Sequence, residues 1–444
     1  MIIPSIVVEE KAAEYTVEDV ICPFCGCCCD DIVVSVKDGR IIDVRNACTL
    51  GASKFLHIGE GRLLKPKIGR FESAREASLS EAIETVVGLL KDSCYPLFYG
   101  WACTSCEAIL LGLDLAEILG GAIDNTSIVC HGPTILAGQD LGLITATLGQ
   151  VKNRADLIVF WGCNPLEAHP RHIARYSVSS RGRFIGGRRG RKVVVVDVRR
   201  TNTARIADLF IEVKPGYDYE VLSALKMLVK DLDLEVDEVG GIPVSKLEEL
   251  ADMMVEARFG ALFFGTGLTM SRGRDKNIEA AIELVRYLNF KTKFVLIPMR
   301  GHFNVTGANE VFTWRTGYPV SVDFSQGYPR YLPGETTAVD ILRRGECDLF
   351  FVVASDPVSH MPRRVVEHLS NIPVITLDPK LTPTVYLSDV AIPVAYTGIE
   401  VDGSVYRMDT VPLRMNKIVD PPPGILPDTE ILRMILEKVR GEYS

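Results

Sequence analysis

Short, almost wholly apolar runs recur along this chain, and segments with helical spacing lie between them. The runs are PLFYGWA (96–102), DLIVFWG (156–162), KVVVVDV (192–198), ALFFGTG (261–267), KFVLIPM (293–299), DLFFVVAS (348–355) and PVITLD (373–378). Each is bounded by Gly, Pro or Asp and shows little alternation between apolar and polar, which suits strands buried on both faces of a parallel sheet. Between them Ala82, Ile83, Val86, Val87 and Leu90 return at helical spacing. Ser78-Leu79-Ser80-Glu81 just before resembles a capping box, which starts a helix by satisfying its first free N–H groups. A second helical pattern runs through AILLGLDLAEILGG (108–121). The pattern predicts an α/β chain with parallel sheets, and in that architecture ligands sit on loops beyond the C-terminal ends of the strands.

Those loops are WGCNP (161–165), DVRRTNTARIAD (197–208), KPGYDYE (214–220), GTGLTMSRG (265–273) and ASDP (354–357). Glycine lets a backbone approach a ligand closely, amides and hydroxyls hold phosphate, and Asp197 or Asp218 offers a carboxylate to a ribose or a guanine edge. Taken singly, each loop reads better as a simple turn than as a ligand loop.

The N-terminal region adds a different chemistry. CPFCGCCCD (22–30) holds five of the twelve cysteines, in the spacing Cys22-x2-Cys25-x3-Cys29, and Cys48 follows. Thiols this clustered suit metal ligation in a reducing compartment better than disulfides. Four thiolates fit a 4Fe-4S cluster best and also fit tetrahedral zinc, and spacing leaves both open, with buried free thiols as the third reading. Cys27 and Cys28 are spare thiols able to compete as ligands, and Gly26 allows a close turn around the metal. Cys103 and Cys106 form a second C-x-x-C where a helix begins, and no further pair follows, so packing explains them better than a second metal.

Composition changes the picture little. Of 444 residues, 47% are apolar and 24% charged, enough for two or three domains with substantial cores. A net charge of −8 disfavours nonspecific nucleic-acid binding. The arginine-rich stretch 181–192 reads as a solvated loop rather than an anion clamp. No apolar run approaches the ~18 residues of a membrane span. The start, MIIPSIVVEEKAAEY, meets acidic residues too early for a signal segment and has no twin arginine. A soluble, cytoplasmic protein is expected.

The order of the cysteine motif, VCHGPT (129–134), WGCNP, VVVDVRRTNTARIAD and KPGYD resembles that of the molybdopterin oxidoreductases, the group that includes formate dehydrogenases. More narrowly, CPFCGCCCDDI and PMRGHFNVTGAN (298–309) resemble the B-subunit family of formylmethanofuran dehydrogenases, from about residue 17 to 444. The resemblance implies a formate-dehydrogenase-like fold: parallel-sheet α/β domains plus a small N-terminal iron–sulfur domain, without a C-terminal barrel domain. It implies that Cys22, Cys25, Cys29 and Cys48 hold one 4Fe-4S cluster. Cys130 then binds tungsten or molybdenum, which carries a sulfido ligand and the dithiolenes of two molybdopterin guanine dinucleotides. His131 and Arg300 are the implied active-site pair. Asn164, Asp197, Thr201, Asp218 and Gly265 are candidate nucleotide contacts, and Lys54 a candidate bridge between cluster and pterin. Chemically, a permanently cationic, planar guanidinium at Arg300 suits a carboxylate, and His131 suits proton exchange near neutral pH or stabilising the charge that develops at the carbon centre. His302 and Asn304 lie close enough to Arg300 in sequence to support it.

The resemblance further implies a cluster domain over 17–65, joined by the tail 401–444. It implies one α/β domain from 66–129 and 301–400, and a second, dinucleotide-binding one over 130–300. Implied partners are the other members of a multisubunit complex: an amidohydrolase-like A component, a barrel-bearing D component, a C component and iron–sulfur electron-transfer subunits. The implied substrate pair is carbon dioxide and formate. The expected activity is reversible two-electron reduction of carbon dioxide to formate. A stand-alone formate dehydrogenase and a non-catalytic scaffold of a formyltransferase/hydrolase complex are the other readings; the first should carry its own barrel, and the second has no need of the five ligand cysteines.

Overall fold

The computed structural model describes residues 14–443, so most of the N-terminal stretch read above for a signal segment lies outside the described residues. Two parallel sheets dominate. In the first, five parallel strands form the centre, in the spatial order Ala122–Asn125, Pro96–Gly100, Leu349–Val353, Val374–Leu377, Val390–Ile392. Short antiparallel strands extend it at both edges, nine strands in all. The sequence runs explain the burial: Phe98, Phe351 and Val353 enter one helix-covered core while Leu97, Tyr99, Phe350 and Val352 enter the other. With successive side chains on opposite faces, only a strand covered on both sides is apolar throughout. On the first face lie the helices Leu79–Asp92, Cys106–Ile118 and Asp428–Tyr443. The first of these starts at the expected cap, with Ser78 Oγ accepting from Glu81 N at 3.2 Å.

The second sheet holds Leu209–Glu212, Lys192–Asp197, Leu157–Trp161, Gly260–Phe264 and Phe294–Pro298 in that order, all parallel. By chain order these are strands 3-2-1-4-5, and the five central strands of the first sheet are 2-1-3-4-5. Both are doubly wound orders, which open a crevice where the direction of winding reverses, between strands 1 and 4 in one sheet and 1 and 3 in the other. Glycine is required at both crevices. Gly162 has φ of +56°, and a Cβ there would lie 2.7 Å from Leu268 N. Gly100 has φ of +120°, and its Cβ would lie 2.0 Å from Val353 O.

The strands Glu14–Val20, Ile32–Lys37 and Arg40–Arg45 form a small antiparallel sheet. Its core residues Val20, Ile32 and Val34 share a buried cluster with Phe160, Val193 and Ile297, so it sits on one face of the second α/β sheet. The tail, expected with this cluster segment, divides. Met408, in the turn of the hairpin Gly403–Tyr406 and Pro412–Met415, donates its N–H to Gly26 O at 3.0 Å. The terminal helix instead buries Ile431, Leu432 and Ile435 against the helices of the first α/β sheet.

The arginine-rich stretch is a solvated loop only in part: Arg181, Arg183 and Arg189 are exposed, but Arg188 and Arg191 turn inward. Arg191 is buried and donates to the carbonyls of Ala155 (3.0 Å), Val178 (3.3 Å), Ser180 (2.5 Å) and Lys152 (2.6 Å). Arg188 bonds Arg191 O and Ile206 O and pairs with Asp208 at 3.0 Å. The charges tie a non-repetitive backbone together, which local composition alone does not reveal.

Candidate active site

The three-stranded sheet gathers the cysteines by its register. Val20 pairs with Ile32 and Val33 with Arg45, so the loop 22–29 and Cys48 emerge from the same end. Cys22 N donates to Cys29 O at 2.9 Å, closing the loop. Gly51 marks where Cys22 and Cys48 meet: a Cβ there would lie 3.5 Å from each Sγ. Cys48 caps the helix Thr49–Leu56, its Sγ accepting from Gly51 N at 3.3 Å. The Cys27 thiol, hydrogen-bonded to Cys25, and then the Lys54 charge bring the Cys25 pKa down to about 7 against burial. Burial pushes the Cys22 and Cys29 thiols up, and such thiols become thiolates when a cation binds them.

The two spare thiols differ. Cys27 is buried beside Cys25 and Cys29, whereas Cys28 donates its Sγ to Phe303 O at 3.3 Å. Among the described residues, no three Cys, His, Asp or Glu side chains close round a single metal ion. Cys103 and Cys106 diverge as well, one into the cavity described next and the other toward Asn304 Nδ2 at 3.7 Å.

Cys130 and Arg300 come from different sheets. Cys130 follows the strand Ala122–Asn125 and a turn of 3-10 helix, and Arg300 follows the strand Phe294–Pro298. Cys130 Sγ donates to Ser127 O at 3.5 Å, and burial pushes its thiol up to about 11 while the Arg300 charge favours the thiolate. Arg300 is buried and its Nε has no partner within the chain. Buried donors of this kind normally have an acceptor, protein or other. Thr269 Oγ1 donates to Cys130 O at 2.6 Å, fastening the cysteine to the loop after Gly260–Phe264.

His131 departs from expectation. It is buried, Nε2 lies 3.3 Å from Met299 O and Nδ1 3.1 Å from Thr134 Oγ1. A carbonyl only accepts, so Nε2 carries the proton and Nδ1 accepts from the threonine. Burial, reinforced by Arg300, pushes its pKa down to about 3, so the imidazole is neutral at pH 7. Of the two expected roles, a neutral imidazole held this way suits stabilising charge at the carbon centre better than proton exchange.

The nucleotide candidates gather at the crevice of the second sheet. Asn164 Oδ1 accepts from Thr203 Oγ1 at 2.6 Å, while its Nδ2 is buried without a partner. Asp197 accepts from Val198 N at 2.8 Å, and Thr201 Oγ1 from Ala204 N at 3.3 Å. Gly265 abuts Cys163, whose Cβ would stand 2.7 Å from an added one. Asp218 differs: both oxygens are already engaged, by Trp161 Nε1 at 2.9 Å and Ser271 Oγ at 2.8 Å, so it braces the crevice from beneath.

A cavity of about 310 Å³ opens between the cluster segment and the crevice of the first sheet, lined by Phe24, Lys54, Cys103, His302, Asp378 and Tyr396 among others. Lys54 Nζ stands 5.4 Å from the Phe24 ring centre. His302 Nδ1 is 3.4 Å from Thr126 Oγ1, which places it near the turn that carries Cys130. Asn304 has a structural task, donating to Thr104 O at 2.7 Å and accepting from Tyr406 N at 2.9 Å. Sequence reasoning missed Tyr396 and Arg62. The buried Arg62 pairs with Glu400 at 2.7 Å and stacks on Tyr396 at 4.4 Å, and Tyr396 OH and Arg62 Nη1 have no partner within the chain. The orphaned polar groups at both crevices, the glycine approaches and the gathered thiols fit a large, polar, metal-bearing cofactor.

The molybdopterin oxidoreductase family model matches residues 76–438. The chain is 49% identical to the B subunit of the tungsten-containing formylmethanofuran dehydrogenase 2 of Methanocaldococcus jannaschii, over 96% of this chain and 98% of that one. It belongs to the molybdopterin oxidoreductases, in the B-subunit family of formylmethanofuran dehydrogenases. The like-named protein of Methanococcus maripaludis is 46% identical over 95% of this chain and 98% of its own length. Members of this family are oxidoreductases. Among solved structures, the formyltransferase/hydrolase complex of Methylorubrum extorquens, in complex with methylofuran, contains a chain with the same fold. Its TM-score is 0.68 at 21% identity, covering 84% of this chain and 99% of that one. No described helix is long and apolar enough to cross a membrane.

Proposed function

We propose that this chain is the catalytic subunit of a formylmethanofuran dehydrogenase and interconverts carbon dioxide and formate, CO2 + 2e⁻ + H⁺ ⇌ HCOO⁻. The observation that carries the reading is the electrostatic pairing of Cys130 with Arg300, a soft ligand and a buried guanidinium whose Nε has no partner within the chain, from strand ends of two different sheets. Cys130 would hold tungsten or molybdenum with a sulfido ligand and two molybdopterin guanine dinucleotides, and Cys22, Cys25, Cys29 and Cys48 one 4Fe-4S cluster. When bound, the metal supplies two-electron redox chemistry and the cluster one-electron transfer.

The chain's own residues do the rest. Arg300 holds the formate carboxylate in a fork that stays charged at every working pH. Its burial removes competing water, which strengthens the pairing. His131, neutral and fixed by Thr134 and Met299, keeps the wall beside Cys130 rigid. Asn164, Asp197, Thr201 and Gly265 receive one dinucleotide, with Asp218 bracing them. The cavity lined by Tyr396, Asp378 and Lys54, with Arg62 stacked behind Tyr396, suits the other, and the Lys54 charge also acts on Cys25.

The domain plan proposed is 17–65 for the cluster, 66–129 with 301–400, and 130–300. The complex would be cytoplasmic, with a barrel-bearing D component, a C component and iron–sulfur subunits as electron carriers. Its amidohydrolase-like A component would condense formate with methanofuran. Given a low-potential electron donor and isotopically labelled carbon dioxide but no methanofuran, the intact complex should release labelled formate. Its failure to do so while the metal centre is reduced would refute the assignment.

A further inference from the structure

The loop carrying three of the cluster cysteines is packed backbone to backbone on the loop carrying Arg300. Gly26 N donates to Gly301 O at 2.9 Å. Two residues on, the Cys28 thiol donates to Phe303 O at 3.3 Å, from a residue held at φ of +38°, a conformation side chains disfavour. The Arg300 carbonyl itself is gripped on one side by His169 Nε2 at 2.9 Å. On the other side it rests on Gly26, where an added Cβ would lie 2.4 Å from Arg300 O and 3.3 Å from Met408 Cε. Gly26 is not among the glycines with positive φ. Its conformation therefore does not demand glycine; the Arg300 carbonyl does.

We infer that Gly26 and Cys28 are positioning residues for Arg300, fixing from the cluster side the backbone out of which the guanidinium reaches its carboxylate substrate. Neither touches substrate. The inference rests on the reading of Arg300 as the carboxylate anchor. A methyl group at Gly26 must move the Arg300 carbonyl by about 1 Å to reach ordinary contact, and misplacement on that scale costs up to ~100-fold in a binding or reacting geometry. Cys28 acts through one hydrogen bond, which serine can replace and alanine cannot.

The test uses the intact, cofactor-loaded complex with Gly26→Ala, Cys28→Ala, Cys28→Ser and, as control, Arg300→Lys. The readouts are KM and kcat for formate oxidation with an artificial electron acceptor, iron content, and the paramagnetic resonance spectrum of the reduced cluster. The expected result is a KM for formate raised about 10- to 100-fold in Gly26→Ala. KM should rise less in Cys28→Ala and return toward the parent value in Cys28→Ser, with kcat and the cluster spectrum changed little. An unchanged KM in Gly26→Ala with its cluster intact overturns the inference. Should that variant lose its cluster, the Cys28 pair decides, and equal KM values for alanine and serine overturn it. If Arg300→Lys itself leaves KM unchanged, the carboxylate reading has failed first; if only Arg300→Lys raises KM, that reading stands and this inference alone falls.

Discussion

Replacing Arg300 with lysine keeps the positive charge and removes the fork. Arg300 Nε has no partner within the chain, so the substitution strands no protein acceptor at that atom, and the fold should survive it. On the proposed reading, what is lost is the second of two parallel N–H···O bonds to the carboxylate. A hydrogen bond to a charged group contributes about 1.5–3 kcal/mol, which corresponds to roughly 10- to 150-fold in affinity. The desolvated setting of Arg300 argues for the upper half of that range. Formate oxidation by the complex, followed with an artificial acceptor across formate concentrations, should show this factor mainly in KM. A KM within about twofold of the parent, in protein with normal metal content, would mean that Arg300 does not hold the carboxylate by a fork.

Cys130→Ala should abolish formate turnover while leaving the spectrum of the reduced cluster intact, because Cys130 and the cysteine loop belong to separate segments; retained turnover removes Cys130 from the metal's coordination. Arg191→Met should lower stability by about 1–3 kcal/mol, the cost of leaving buried acceptors without their donor. Chemical denaturation measures it, and a loss below about 1 kcal/mol would mean the four carbonyls find other partners. Asp428 is buried at the start of the terminal helix and burial pushes its pKa up to about 6. A raised folded value means the native state holds the proton longer, so stability present below the unfolded value of ~4 should decline by about 3 kcal/mol as pH rises through 6. Asp428→Asn should flatten that decline in denaturation curves taken from pH 4 to 7, and an unaltered slope would assign it to other groups.

The parts of the fold that were legible were those with a periodic signature. The seven apolar runs all contain strands, because a strand covered on both faces has no polar alternation to hide it, and Ser78 caps its helix as the spacing implied. The strand Ala122–Asn125, which delivers Cys130, gave no such sign. It is short and ends in Asp124 and Asn125, whose burial is made tolerable by partners far along the chain: the Asp124 carboxylate accepts from Ser321 N at 2.9 Å and Ala338 N at 2.8 Å. Arg62, Glu400 and Tyr396 were invisible for the same reason, since more than 300 residues separate Arg62 from its partner. Cys130, His131 and Arg300 could be picked out by resemblance, but burial decides the protonation state of His131, and burial is not a local property of the sequence. Gly26 was read as easing a turn around the metal; its contact with the Arg300 carbonyl depends on two segments meeting in space.

The measurement that bears most directly on the central claim is metal and pterin analysis of the anaerobically purified native complex, with the contents assigned to this chain. The account predicts one tungsten or molybdenum, two pterin dinucleotides and about four irons per chain. Iron without the heavier metal or the pterins would contradict it, and would leave the cysteine loop serving an electron relay rather than a catalytic centre.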